Sequence, residues 1–102
     1  MVLACDLRIA VPEARIFYPV MKLGFLPQPS DPARLAALAG RSRAAMILMA
    51  GQKIGAETAL RWGLLDRIVP SDALIETAGE LAADALSAAP AHVAGIKRMI
   101  RG

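Results

Sequence analysis

The chain opens on short alternating apolar runs and closes on long helical ones. Over residues 5–11, Leu7, Ile9 and Val11 alternate with Asp6 and Arg8 and stop at Pro12; over residues 14–18, Ile16, Phe17 and Tyr18 favour extended backbone and run into Pro19. Period-two alternation places one residue set on one face of a strand, so two short strands joined by a Pro12-Glu13 turn are expected. Prolines at 19, 27, 29 and 32 predict a stiff loop without regular structure. Ser30 or Asp31 can cap a helix over residues 33–39, with Pro32 suited to its first turn and Gly40 ending it. A second helix over residues 42–50 stops at Gly51. Residues 52–54 read as extended, and 56–62 as a short helix closed by Gly63, where a left-handed cap is favoured. Residues 64–69 form a strand or extended arm before Pro70. Ser71 then reads as the cap of a helix to residue 88, with Leu74, Ile75, Ala78, Leu81, Ala82, Ala85 and Leu86 on one stripe and Asp72, Glu76, Glu80 and Asp84 opposite. Pro90 breaks it, and residues 91–100 form a last helix whose basic end suits the helix dipole.

Composition narrows the function. Of 102 residues, 56% are hydrophobic, more still with the eight glycines counted as apolar, against roughly 45–50% for an ordinary soluble domain. So small a domain keeps a large share of its surface in water, so further chain or subunits are expected to cover part of this one. Twelve Lys and Arg against nine Asp and Glu give a net charge of +3, and aromatics are only 4%. Without basic-aromatic interleaving, nucleic-acid binding has little support. The longest uncharged apolar stretch, residues 44–52, is half a membrane span, so no membrane partner is expected. The lone Cys5 excludes an internal disulfide and points to a reducing cytoplasm. Leu3-Ala4-Cys5 resembles a lipoprotein signal but lacks a basic start and an adequate apolar core.

Few residues offer chemistry unaided. One His and one Cys cannot build a metal site, and none is expected. His92, just after Pro90, reads as solvent-facing or capping, which removes a nucleophile-base triad. Gly51 to Gly55 reads as a turn, and the chain has neither a phosphate-cradling glycine loop nor a dinucleotide fingerprint. Cys5, Met46 and Met49 are expected in the core, and Trp62 in the core or a subunit contact, with stacking on a ligand as the alternative.

Order and spacing along the whole chain carry a sharper signal. Leu3-Ala4-Cys5-Asp6-Leu7-Arg8-Ile9-Ala10, Ala14-Arg15-Ile16-Phe17-Tyr18-Pro19, Lys22-Leu23-Gly24-Phe25-Leu26-Pro27, Arg34-Leu35 and Gly40-Arg41 follow in sequence. Ala44-Met46-Leu48-Gly51, Ile54-Ala56-Glu57-Ala59, Gly63-Leu64-Leu65-Asp66-Arg67-Ile68-Val69-Pro70 and residues 90–97 complete them. Together these resemble the later part of the enoyl-CoA hydratase/isomerase (crotonase) family over nearly all 102 positions.

The resemblance implies an α/β fold: a fragment of the crotonase-like (ClpP/crotonase) ββα spiral followed by a helical C-terminal oligomerisation region. It is expected as one partial domain over residues 1–102, with strands and an acyl-pocket loop in 1–32 and mainly helix in 33–102. The implied chemistry is stabilisation of a thioester enolate by backbone amides, with a coenzyme A thioester as substrate, no separate cofactor, and a homotrimer or hexamer as the assembly. In the family, the glycine-rich oxyanion turn and one hydratase glutamate precede the point matching Met1. The other glutamate follows a proline in a Pro-Glu-x-x-x-Gly stretch, which here reads Pro19-Val20-Met21-Lys22-Leu23-Gly24. Val20 cannot move a proton, so the 102 residues alone are expected to be inactive in hydration. Lys22 as a base and Asp31 as an acid-base group or helix cap are the remaining candidates. Pro19, Val20, Leu26, Pro27 and Gln28 are the implied substrate contacts, and Lys97, Arg98 and Arg101 could meet a CoA phosphate or form a solvated helix face. A non-catalytic oligomerisation module or pseudoenzyme of the same fold is the alternative.

The apolar content leads to a first prediction. The isolated chain should self-associate and bind a hydrophobic dye. A monodisperse, dye-negative monomer in light scattering would contradict this.

Overall fold

The computed structural model describes residues 3, 5–24, 26, 27 and 29–101. They fall into two units, Met1–Ser71 and Asp72–Gly102.

In the first unit the strands are two-residue pieces held by partners distant in sequence. β1 (Ile9–Ala10) pairs in parallel with β4 (Arg67–Ile68), and β2 (Arg15–Ile16) pairs antiparallel with β3 (Ile54–Gly55). The turn expected at Pro12-Glu13 is present, closed by the Ala14 N–H on the Val11 carbonyl at 3.1 Å, yet the strands it joins belong to different sheets. Alternation in the sequence predicts which stretches extend; it carries no information on which partner each finds.

Alternation also places Arg8 among the polar positions, and the structure buries it, 7% exposed. Its donors find acceptors inside: Nε donates to the Leu64 carbonyl at 2.7 Å, Nη1 to the Cys5 carbonyl at 2.7 Å, and Nη2 lies 3.9 Å from Asp66 Oδ2. Its backbone joins in, for the Arg8 N–H donates to Asp66 Oδ2 at 2.8 Å and the Asp66 N–H to the Arg8 carbonyl at 2.7 Å. A buried guanidinium is tolerated when its donors are met in this way. Cys5, expected in the core, is exposed instead; its carbonyl, rather than its thiol, serves the fold.

The loop expected between Pro19 and Pro32 contains regular structure. Val20-Met21-Lys22-Leu23 holds no proline, and it closes one helical turn, α1 (Val20–Leu23), between Pro19 and Gly24. The next helix, α2 (Asp31–Ala39), is capped by Ser30 without a side-chain bond, and Asp31 is its first helical residue rather than its cap. Gly40 alone links α2 to α3 (Arg41–Leu48). Its φ of 95° lets its N–H close α2 on the Ala36 carbonyl while its own carbonyl opens α3 to the Ala44 N–H.

These helices pack with α4 (Ala56–Arg61) around Leu35, Ala44, Ile47, Ile54, Ala56, Ala59, Leu64 and Leu65. Three alanines in that set let backbones approach closely, and Leu35, Ile47 and Leu64 are its largest fully buried side chains. Met46 and Met49, expected as gap-fillers, are exposed, because the buried stripe of α3 is Ala44 and Ile47. Trp62 packs partly against the core, with the Arg43 guanidinium 5.2 Å from its ring centre.

A 3-10 turn, Ser71–Ala73, precedes α5 (Leu74–Ser87) of the second unit, so Ser71 opens that turn and Ala73 caps the helix. Ala88 is extended, and Pro90 starts α6 (Pro90–Arg101), where its missing N–H costs nothing. Neither helix contains a buried residue; Ile75, Leu86, Met99 and Ile100 are each about four-fifths exposed. No helix among the described residues is long and apolar enough to cross a membrane.

Gly63 is the position least able to take a side chain. Its φ is 83°, and an added Cβ would lie 2.9 Å from the Leu38 carbonyl oxygen. Gly63→Ala should therefore cost roughly 1–3 kcal/mol in denaturant unfolding. Gly51→Ala, with positive φ but open space around the Cβ, should cost less. Equal costs would show that the Leu38 contact carries no weight.

Candidate functional site

A cleft of about 370 Å³ opens beside α1. One side is Phe17, Tyr18 and Pro19, where the chain leaves β2, followed by Met21 and Lys22 of α1; facing them are Met49, Ala50 and Gly51 after α3, then Lys53. The antiparallel register builds it: pairing Ile16 with Ile54 brings the following Phe17 beside the preceding Lys53, whose Nζ sits 4.8 Å above the Phe17 ring centre. The short helix α1 then turns Met21 and Lys22 outward and Val20 inward.

The lining is apolar apart from Lys22, Lys53 and the Tyr18 hydroxyl, and it contains no carboxylate. Tyr18 donates its hydroxyl hydrogen to Asp31 Oδ2 at 2.9 Å. Asp31 is 5% exposed at the first turn of α2, where the helix N-terminus favours its negative charge. Burial, then the hydrogen bond, then the charge of Asp31 push the Tyr18 hydroxyl up to about 12. Tyr18 is thus a neutral phenol that stays protonated at physiological pH.

Of the residues marked out by sequence, Pro19 and Lys22 belong to the lining of this cleft. Val20 is buried beside it at 4% exposure, and Lys22 stands exposed within it. Leu26 is 89% exposed and Pro27 half-buried, while Gln28 lies outside the described residues. Lys97, Arg98 and Arg101 lie on α6 of the second unit. Among the described residues no group of three His, Cys, Asp or Glu side chains could hold a metal ion. Sequence reading missed Phe17, Met49, Gly51 and Lys53 as cleft residues; the β2–β3 pairing that gathers them is a long-range contact with no local signature.

The sequence model of the enoyl-CoA hydratase/isomerase family matches residues 1–101. The chain belongs to that family. Carnitinyl-CoA dehydratase of Citrobacter koseri is 35% identical over 99 residues, and the match takes in 97% of this chain and 38% of that enzyme. Among solved structures, Pseudomonas aeruginosa DspI superposes with a TM-score of 0.89 at 35% identity, covering 98% of this chain and 41% of that one. Carnitinyl-CoA hydratase of Mycobacterium avium superposes at 0.86 and 32%, over 97% and 38%. The fold is therefore crotonase-like, and the chain spans about two-fifths of the length of these relatives.

The Tyr18–Asp31 pair can be tested directly, because Tyr18 is the only tyrosine. Tyrosinate absorbance should rise with a midpoint near 12. A hydroxyl raised in the fold binds its proton more tightly there than in the unfolded chain. Its contribution to stability is therefore complete below about pH 10 and is lost as pH climbs from 10 through 12. Asp31→Asn should lower the midpoint without returning it to 10, since burial, the largest cause, remains. A wild-type midpoint at 10 would show that the pair does not form.

Proposed function

We propose that this chain is the later part of an acyl-CoA enzyme that stabilises the enolate of a coenzyme A thioester, and that this enzyme works without the second carboxylate of a hydratase. Val20 carries the reading. It follows Pro19 at the position of the family's Pro-Glu, and it is a buried aliphatic side chain. Water addition to a conjugated thioester uses one carboxylate as base on the water and another as acid toward the α-carbon. With valine here, the chemistry left is that of the enolate itself, double-bond isomerisation or thioester cleavage. The ionisable groups that segment 19–31 offers among its described residues are Lys22, exposed, and Asp31, held by Tyr18. On this reading Pro19, Val20, Leu26, Pro27 and Gln28 border the acyl group, Lys97, Arg98 or Arg101 meets a CoA phosphate, and the enzyme is a cytoplasmic trimer or hexamer. The 102 residues alone are inactive.

The exposed apolar residues of α5 and α6 favour a second reading, a non-catalytic module that assembles subunits. A protein that forms defined oligomers yet is inert toward every acyl-CoA tested would support it.

The test is Val20→Glu in the enzyme that carries this segment. Wild type should isomerise or cleave an enoyl-CoA faster than it hydrates one. The variant should gain hydration only weakly, because an unpaired buried carboxylate costs several kcal/mol unless it protonates. Wild-type hydration at the rate of ordinary hydratases on the same substrate would overturn the reading.

A further inference from the structure

The two lysines of the cleft stand where a purely apolar acyl chain gives them nothing to do. Lys22 and Lys53 are both exposed, and among the described residues neither has a carboxylate partner. The buried carboxylate of this region, Asp31, takes the Tyr18 hydroxyl instead. The rest of the lining is largely apolar, with Phe17, Met21 and Met49 among it, and the Tyr18 hydroxyl is already committed to Asp31. Lys53 packs over the Phe17 ring, which holds its charge at the edge of the apolar wall.

We infer that this cleft binds an amphipathic anion, an apolar chain ending in a carboxylate, with the chain against Phe17, Met21 and Met49 and the carboxylate at Lys22 and Lys53. The volume of about 370 Å³ falls within the roughly 300–1,000 Å³ usual for small-molecule sites. Two unpaired cations attract the carboxylate, and each charge-assisted hydrogen bond fixes the end of the chain. Methionine suits the other wall, being flexible and polarisable enough to fit chains of different length. The ligand could be a free fatty carboxylate or the distal carboxylate of a longer thioester; both present the same chemistry here. The inference stands apart from the reading of Val20, since it concerns binding and needs no reaction.

The test uses the 102-residue chain with labelled methionine methyl groups. Met21 and Met49 lie in the cleft, and Met46 on α3 lies outside its lining. Octanoate should shift Met21 and Met49 saturably, while octan-1-ol, which lacks the charge, and inorganic phosphate, which lacks the chain, should bind several-fold more weakly. Lys22→Gln and Lys53→Gln, both at exposed positions, should each weaken octanoate by about two- to fivefold. Octanoate and octanedioic acid monoamide compared in the same titration separate the sources: weaker binding of the monoamide assigns the site to a free monocarboxylate with an apolar far end, and equal or tighter binding assigns it to the distal carboxylate of a derivatised chain. No shift at Met21 and Met49, equal binding of octan-1-ol, full affinity in both lysine variants, or a matching shift at Met46 would each overturn the site.

Discussion

The buried Arg8 guanidinium is the point on which the first unit depends, because it joins residues 58 positions apart in the chain. Two-residue strands have almost no stability of their own. β1 and β4 stay paired because Arg8 binds the Leu64 carbonyl and the Asp66 carboxylate while its backbone exchanges hydrogen bonds with Asp66. The same contact fixes where Leu64 and Leu65 enter the core, immediately after Gly63 turns the chain. Removing only one side of such a pair is the costly change, since it strands a charge that the fold has already taken out of water.

From that clamp the cleft follows by geometry. The polypeptide leaving β1 turns at Pro12-Glu13 into β2, β2 takes β3 as its partner, and the segments flanking that pair converge. Phe17 and Lys53 meet there only because Ile16 and Ile54 are in register. A slip of one residue would turn these side chains to the opposite face and dissolve the cleft.

Much of the architecture is legible in the residues. Gly40, Gly51 and Gly63 each end a segment where the sequence places a stop, and Pro90 starts α6 as well as ending the extended break after α5. The family is legible too, because motif order along the chain survives where no single motif would suffice. What fails to show is whatever depends on distant partners. Arg8 looks like a surface residue until its acceptors, among them Leu64 and Asp66, are in place. Cys5 looks like a core residue until the exposure of its segment is seen. The one-turn helix at Val20–Leu23 is hidden by the prolines around it, because proline density describes the segment and four proline-free residues decide the turn.

That helix also explains why valine and a carboxylate are competing choices at position 20. Four residues make a helix far too short to persist alone. Val20 is its only buried residue, so its side chain is what anchors α1 to the unit, while Met21 and Lys22 face the cleft. A carboxylate at this position has to be held by partners that meet its charge, or it loses the anchor that an aliphatic group supplies. Here the carboxylate of the neighbourhood is Asp31, and the Tyr18 hydroxyl already occupies one of its oxygens. The same short helix can serve as a support for an apolar wall or as a platform for an acid, and in this chain the burial of Val20 selects the wall.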